Sequence, residues 1–579
     1  MAYKSATVYG PVDLKSKELS EQVKKAKQEK KIFMVIGGYE LIKTSLLLRG
    51  WLEKIPEDRM PYIGTQAEKM SIALLLKNCH FNFIWQPRLR PIKINENMKP
   101  YVNSVIRNGA LNFTNKDGIV HCMNNFHWNY IEGLTDLNIQ RTHILSDRSS
   151  KEEFFEDYRR TAFTSFILYL DSFNDISHLF YPNGDISCDC IKFAIQKIEL
   201  LLKMANHEDI DTTNIFDICA KYPKDQKKTL TETKLIVSGV KKFRAIDEDA
   251  MLKLAADIHA CAEKILKQWP YTKYDGFRNI WIFKPVGSSS GYGIQVTNKE
   301  NEMKEITIGK NGATVRYVAQ KYIERPLIIH KRKFDMRLYL LTMIKEKHID
   351  IWLYKDCYVK FATSPFNVNF FHKSIHVTNY AVQKYFMNEK DAVPDARENM
   401  WTLQQLIEYF ETTGKPRLWQ SHIYPAIKKN LLAVIIPSFE HTELQENNFE
   451  LNGIDVMITF DYEPILIEIN SVPALYFSQT VQEIMTKKLL EDVIKVVVDH
   501  SRDSSAYTGD FECIHSEPIS WCDNTQNLII SGTSIHRGTT YRRSAIQYSV
   551  KTPINVRQNT KTINKYSDFN DRYVYLKSV

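Results

Sequence analysis

The chain has 579 residues, a formal net charge of +9, 44% hydrophobic and 25% charged residues, and only 21 Gly and 20 Pro. This length suits three or four domains, and this composition excludes a mostly disordered, collagen-like or proline-rich chain. The positive balance fits either a solvated basic surface or attraction to an anionic partner, nucleic acid or acidic polypeptide; composition does not choose.

The nine Cys are scattered, and the one close pair, Cys188-x-Cys190, lacks a second pair at zinc-ligand spacing. The first residues open no apolar run, and no stretch of about 18 apolar residues occurs, so neither a secretory leader nor a membrane span is expected. A reducing cytosolic setting fits these features.

Residues 16–31 read as a helix with a basic face, followed by a strand over 32–36 ending at Gly37-Gly38. Residues 1–150 are expected to form an α/β domain. From 151 to 270 the pattern turns helical. Phe154, Phe155, Tyr158, Phe163, Phe166 and Ile167 suggest one apolar stripe, and Leu254, Ile258, Cys261 and Ile265 recur at helical spacing behind a candidate N-cap, Asp247. Residues 271–500 switch to period two, with strands expected at 279–284, 315–323, 333–344, 349–354, 454–460 and 464–470 and helices at 402–413 and 479–500. This predicts an α+β fold with mainly antiparallel sheets. Residues 501–579 are rich in Ser, Thr, Asn and Gln and are expected to be a largely disordered tail.

The strongest constellation runs from Asp455 to Asn470. A two-residue turn at Asp461-Tyr462 would pair Phe460 with Glu463 and set Asp455 opposite Glu468. Alternation would place Glu468 and Asn470 on one face and Ile465, Ile467 and Ile469 on the other. Facing carboxylates repel, and a hard divalent cation such as Mg²⁺ removes the conflict. The alternative is a solvated polar face, and a longer turn would change the register. Upstream, an apolar strand delivers Lys284 to a Gly/Ser loop, 286–293, which could bring N–H groups to phosphate or be an ordinary hairpin loop. No Walker A or dinucleotide fingerprint is present. Arg316 to Pro326 reads as a strand end. In Lys333–Leu340, alternation places Lys333, Asp335, Arg337 and Tyr339 on one face; these charges pair with one another or meet phosphate or carboxylate.

Together these features resemble the tubulin-tyrosine-ligase-like amino-acid ligases, which are built on an ATP-grasp catalytic domain. The resemblance covers about residues 30–500. It rests on Gln320-Lys321-Tyr322-Ile323-Glu324-Arg325-Pro326, Lys333-Phe334-Asp335-Met336-Arg337, His376-Val377-Thr378-Asn379-Tyr380 and Ile467-Glu468-Ile469-Asn470 in that order. Lys267-Gln268-Trp269-Pro270 and Asn448–Gly453 point to the glycylase branch. The resemblance implies an ATP- and Mg²⁺-dependent ligase acting on tubulin tails with glycine. Lys284, Ser290, Gly291, Gln320, Lys321, Tyr322, Ile323, Lys333, Phe334, Asp335, Thr378 and Asn379 would hold nucleotide. Arg337 and Lys360 would be catalytic, and Asp455, Glu468 and Asn470 would bind Mg²⁺. A monomer in cytoplasm, cytoskeleton and ciliary axoneme is implied, with no nucleic-acid partner. The chain departs from the family at Ser289-Ser290-Gly291-Tyr292-Gly293, where glycylases commonly carry Ser-Arg-Gly-Arg-Gly, at Lys360, where arginine is usual, and at Asn470-Ser471-Val472-Pro473, where Asn-Ala-Ser-Pro is more usual.

Overall fold

The computed structural model describes residues 11–56, 67–86, 99–103, 113–206, 223–288, 291–308, 316–388, 399–439, 445–475 and 479–519. The strands that build its two main sheets are, in chain order, β1 (Ile32–Val35), β2 (Leu52–Glu53), β3 (Phe83–Trp85), β4 (Tyr101–Asn103), β5 (Thr142–Leu145), β6 (Trp281–Pro285), β7 (Gln295–Thr297), β8 (Tyr317–Lys321), β9 (Arg332–Lys345), β10 (His348–Tyr354), β11 (Tyr358–Phe361), β12 (Met400–Thr402), β13 (Asn448–Ile458), β14 (Pro464–Asn470) and β15 (Phe511–Pro518). The helices used below are α1 (Glu40–Leu48), α2 (Lys116–Asn125), α3 (Arg148–Asp171), α4 (Glu248–Gln268), α5 (Lys373–His376), α6 (Tyr380–Gln383) and α7 (Thr480–Ile494). No described helix is long and apolar enough to cross a membrane.

The larger sheet runs β12-β11-β9-β13-β4-β3-β1-β2, with β10 also on β9, β14 on β13, and β15 on β10. The strands at the β1–β4 end pair in parallel, and those around β9 pair antiparallel. The smaller sheet, β5-β8-β6-β7, is antiparallel throughout. Strands from the expected 1–150 segment sit in the sheets of the expected 271–500 segment: β4 joins β13, and β5 joins β8. Local periodicity reveals strands but not which distant strand each one meets.

β9 explains the division of labour. Its apolar end, Tyr339, Leu341 and Met343, packs in one core with Met485, Leu489 and Val493 of α7 and Phe33, Phe83 and Trp85 of β1 and β3. The same face toward the strand's start carries Lys333, Asp335 and Arg337, all buried. Removing large apolar side chains from water stabilises by about 1.5–3 kcal/mol each, so the apolar half anchors the strand and the charged half can be held under it. Arg49, just after α1, fastens the amino-terminal strands to the helix that covers this core: its guanidinium lies 2.7 Å from Glu491 and 2.9 Å from Asp499.

The α3 stripe serves two cores rather than one. Phe154 and Tyr158 pack with Trp281 and Phe283 of the smaller sheet, while Phe163, Phe166 and Ile167 join Leu254, Ile258, Cys261 and Ile265 of α4 in a helical core. Asp147 caps α3 by accepting from Ser150 N at 2.9 Å, and Asp247 caps α4 by accepting from Ala250 N at 2.8 Å.

The expectation of a disordered tail from residue 501 is corrected at its start: β15 lies on the edge of β10. Its approach is fixed by buried Asp492, which accepts from Tyr354 Oη at 3.0 Å, Lys495 Nζ at 2.7 Å and Asp510 N at 3.1 Å. Residues 520–579 lie outside the described residues.

Gly509 has φ +68, and a Cβ there would stand 2.0 Å from Asp492 Cγ. Gly509→Ala must move backbone that Asp492 holds. The expected outcome is a loss of about 2 kcal/mol, with faster amide exchange across β15 than at β9 in hydrogen-exchange mass spectrometry.

Candidate active site

The site grows from register. β11 sets Lys360 opposite Asp335, β13 sets Asp455 opposite Arg337, and β14 sets Glu468 opposite Asp455. Four strands thus bring six charged side chains, Lys333 included, to one patch of one face. Arg337 donates to Asp455 from Nε to Oδ1 at 2.9 Å and from Nη2 to Oδ2 at 3.0 Å, the two-point geometry that suits guanidinium and carboxylate. Lys360 Nζ lies 2.8 Å from Asp455 Oδ1 and 3.2 Å from Asp335 Oδ1. Thr378 Oγ1 donates to Asp335 Oδ2 at 2.6 Å. Burial opposes the Asp455 carboxylate, but Arg337 and Lys360 outweigh it and hold its pKa well below the usual range. At Asp335, burial prevails over Lys360 and the pKa rises.

The hairpin reaches the expected Asp455–Glu468 pairing by another route. Its turn has three residues, not two: Thr459 N donates to Glu463 O at 2.9 Å, Tyr462 N to Thr459 O at 3.0 Å, and Tyr462 has φ +69. That turn sets Ile458 opposite Pro464 and Val456 opposite Leu466, one residue off the expected register. A bulge at Ile467 then restores it. The bulge also corrects the face assignment. Ile465 packs with Met457 on the site side, and Ile467 and Glu468 both line the cavity.

The smaller sheet supplies the opposite wall. Lys284 Nζ donates to Gln320 Oε1 at 2.8 Å, and Gln320 Nε2 donates to Thr142 Oγ1 at 3.2 Å. Burial pushes the Lys284 pKa down. A directed chain of hydrogen bonds crosses from this wall to β9. Lys333 Nζ donates to Tyr322 Oη at 3.1 Å and to His376 O at 2.9 Å; Tyr322 Oη is 2.7 Å from His376 Nδ1, and His376 Nε2 is 2.6 Å from Phe370 O. The Phe370 carbonyl can only accept, so Nε2 carries the proton and Nδ1 accepts from Tyr322. Burial beside Lys333 lowers the His376 pKa to about 4, so the ring is neutral. Burial likewise lowers the Lys333 pKa to about 7 against the pull of Asp335.

These walls flank a cavity lined by Lys284, Gln320, Lys333, Asp335, Asn379 and Glu468 among others. A second cavity adjoins it. Asn379 and Glu468 line both, and Arg337, Lys360 and Asn470 line the second.

Residues 208–505 match the model of the tubulin-tyrosine ligase family. The chain belongs to that family. Its fold is the ATP-grasp-like α+β type of the tubulin-tyrosine ligases. Tubulin glycylase 3B of Drosophila melanogaster is 32% identical over 506 residues, 84% of this chain and 66% of its own length. Tubulin glycylase 3A of Drosophila melanogaster is 28% identical over 87% of this chain and 53% of its own, and protein monoglycylase TTLL8 of Homo sapiens 28% over 89% and 66%. The chain thus spans between about half and two thirds of these three relatives' lengths.

Within this tubulin-tyrosine ligase fold, most residues expected at the nucleotide come together at the first cavity. Three are placed differently, although Lys321 is among the residues that line this cavity. Phe334 points to the other face of β9, against Phe361 with ring centroids 5.6 Å apart. Lys321 is saturated elsewhere, donating to the carbonyls of Asp275 at 2.7 Å and Ile280 at 3.0 Å and to Glu324 Oε1 at 2.9 Å. Gly291 sits at the loop's contact with α6, where a Cβ would be 3.0 Å from Val382 Cγ2. Ser290 lies outside the described residues. Gln140, Ile282, Met457 and His376 also line the cavity and were not singled out from sequence. His376 opens the quoted 376–380 motif, so a signal for it existed; Gln140 had none.

The metal expectation fits in a modified form. Asp455 is nearly saturated by Arg337, Lys360 and Asn470, whose Nδ2 lies 3.3 Å from Oδ2. Glu468 pairs with no cation among the described ion pairs; its Oε1 lies 3.4 Å from Asn470 Nδ2. A half-turn of the Asn470 amide would exchange N–H for oxygen between the two carboxylates. Two carboxylates and one amide with open space beside them suit Mg²⁺, which keeps positions for waters and phosphate oxygens. The described residues hold no cluster of three or more His, Cys, Asp or Glu placed for a metal.

Lys333 gives a pH test. Its folded pKa of about 7 lies below the ordinary lysine value of about 10.4. Between those values the unfolded chain binds the extra proton, so this group's contribution to stability rises with pH and is least favourable below about 7. Lys333→Met has no charge to bury. The melting temperature of Lys333→Met minus that of wild type should be largest near about pH 6.5 and shrink by about pH 8.5. A difference that is flat with pH would place the Lys333 titration outside this range.

Proposed function

We propose that the protein is an ATP- and Mg²⁺-dependent ligase that joins glycine to the γ-carboxyl of glutamates in acidic tubulin tails. The observation that carries this reading is the pair of cavities meeting at Glu468 and Asn379. One suits a nucleotide, with Lys284 and Lys333 as cations and the backbone from Gln320 to Ile323 for the base. The other suits the reacting carboxylate and amine. Transfer of the terminal phosphoryl group to the glutamate carboxylate would give an acyl phosphate and ADP. The glycine amine would then attack the carbonyl carbon, lose a proton and expel phosphate. Mg²⁺ held by Glu468, Asn470 and Asp455 would neutralise phosphate charge. Arg337 and Lys360 would orient the acceptor carboxylate and balance charge as it develops.

Glycine is favoured over glutamate as the incoming amino acid by charge. The cations lining the second cavity are Arg337 and Lys360, and both already donate to Asp455. The remaining wall mixes Tyr358, Met400, Val472, Pro473 and Ala474 with polar Asn379, Asn470 and Gln482 and the Glu468 carboxylate. Glutamate would bring one carboxylate more than glycine, beside Glu468 and next to cations already shared with Asp455, and that added charge is costly to desolvate. The names of the relatives support the same choice. The protein would work as a monomer in the cytoplasm on the cytoskeleton, including ciliary axonemes.

The test is incubation of the full chain with microtubules, ATP, Mg²⁺ and labelled glycine or labelled glutamate. Glycine incorporation alone is expected. Incorporation of glutamate would reassign the protein to glutamylation, and ATP binding with neither would make it a tubulin-binding homologue. Glu468→Gln should lower glycine incorporation by about a hundredfold or more while leaving the melting temperature near that of wild type. Near-normal ligation at limiting Mg²⁺ would remove Glu468 from the metal site.

A further inference from the structure

Three strands of the smaller sheet set one polar side chain each along a single line. β8 places Gln320 opposite Thr142 of β5 and opposite Ile282 of β6, and it places Val318 opposite Lys284. Gln320 and Lys284 are therefore diagonal neighbours on one face, with Thr142 beside Gln320 on the same face. All three are buried. Among the described residues, the one hydrogen-bond acceptor that meets Lys284 Nζ is Gln320 Oε1, at 2.8 Å. Gln320 Nε2 donates to Thr142 Oγ1 at 3.2 Å, and Thr142 Oγ1 donates to Gln140 O at 2.7 Å.

The direction of this chain is fixed from its far end. The Gln140 carbonyl only accepts, so the single hydroxyl proton of Thr142 is used there. Towards Gln320 the hydroxyl can then only accept. The amide must present its NH₂ group to Thr142 and its oxygen to Lys284. A half-turn of the amide would reverse both ends, setting NH₂ against the ammonium and oxygen against the hydroxyl lone pairs. In a buried place such mismatches are strongly disfavoured. Burial already pushes the Lys284 pKa down, so an acceptor at its ammonium also helps to keep it charged.

We infer that Thr142 is a positioning residue for the nucleotide phosphates: through Gln320 it aims the Lys284 ammonium into the first cavity. Gln140, Gln320 and Lys284 line that cavity, whereas Thr142 lines a separate groove with Arg141 and His143. Its hydroxyl would touch no substrate atom. It acts by deciding which end of the Gln320 amide faces the lysine. A valine of the same shape would suit the strand equally well and lose the direction. The inference rests on the nucleotide reading of the first cavity given above, and it is tested by binding, apart from turnover.

The experiment is displacement of a fluorescent ATP analogue from the full chain by ATP and by adenosine. Thr142→Val should weaken ATP by about fivefold or more and adenosine by less than about twofold, because the base meets backbone while the phosphates meet Lys284. Thr142→Ser, which keeps the hydroxyl, should bind both ligands as wild type does. Gln320→Glu removes the directionality, since either carboxylate oxygen accepts from Lys284. Whatever that change does to ATP by itself, adding Thr142→Val to it should alter ATP affinity by less than about twofold. A valine variant that loses ATP and adenosine alike, or that loses as much again in the Gln320→Glu background, overturns the inference and leaves Thr142 a packing residue. So does a valine variant with wild-type affinity for ATP, a result that leaves the nucleotide reading standing. Wild type that binds neither ligand removes that reading and this inference together. If thermal melting shows Thr142→Val to be unfolded, Thr142→Ala takes its place, judged by the same ratio of ATP loss to adenosine loss.

Discussion

Asp455 is the point on which the site balances. Lys333, Asp335, Arg337, Lys360 and Asp455 are all buried on one side of one sheet, and an unpaired buried charge is strongly destabilising. Asp455 resolves this by taking Arg337 at two points and Lys360 at a third. Lys360 in turn reaches Asp335, whose other oxygen accepts from Thr378. The ladder pairs Arg337–Asp455 and Asp335–Lys360 hold three strands in register, and Lys360 also reaches across β9 to Asp455. Among the described residues the network also leaves Glu468 without a paired cation, so the negative charge open to a ligand is set by what Asp455 has already taken.

That arrangement depends on a defect in the hairpin. A regular β14 would turn either Ile467 or Glu468 to the cavity, but not both. The bulge turns both, so one strand offers an apolar surface beside Met457 and a carboxylate opposite Asp455. From sequence, the Asp455–Glu468 pairing was legible only because a turn one residue too short and an unseen bulge offset each other. The spacing between the carboxylates carries that information, whereas the turn type does not: Asp461 and Tyr462 are equally compatible with a two-residue turn and with a three-residue loop in which Tyr462 takes the left-handed conformation.

Other features were legible for reasons that can be stated. The period of two in β9 placed Lys333, Asp335 and Arg337 together, since alternation is a property of the strand itself. The caps Asp147 and Asp247 act within three residues, although only Asp247 was expected from sequence. What could not be read was pairing over long separations. The parallel union of β4 with β13, the edge seat of β15 and the closure of Gln140 onto the cavity join residues hundreds of positions apart or lack any local signature. The Phe334 side chain lies on the other face of β9 because a motif names neighbours in sequence, while alternation sends every second side chain away, and the Lys321 ammonium is held by carbonyls and Glu324 although the residue lines the cavity.

The 286–293 loop poses the sharper question of charge. Its run from Ser289 to Gly293 carries no cation, and neither Lys331 nor Arg332 supplies one. Arg332 stacks on Phe361 at 4.7 Å, on the face of β9 that Phe334 shares, and Lys331 is exposed. Charge reaches the loop from another part of the chain instead. Lys116, the first residue of α2, donates from Nζ to Ser288 O at 3.1 Å, and its neighbour Asp117 is held by Arg316 at 2.7 Å, just before β8. The ammonium of Lys116 is also among the groups that press the Lys284 pKa downward, behind burial and against Glu468, which means the two lysines feel each other across the loop. An anion between them would relieve that repulsion, whereas an arginine built into the loop would add to it in the empty site. A loop without its own cation is therefore consistent with a site whose positive charge is already supplied from two directions, one within the catalytic sheet pair and one from the amino-terminal segment.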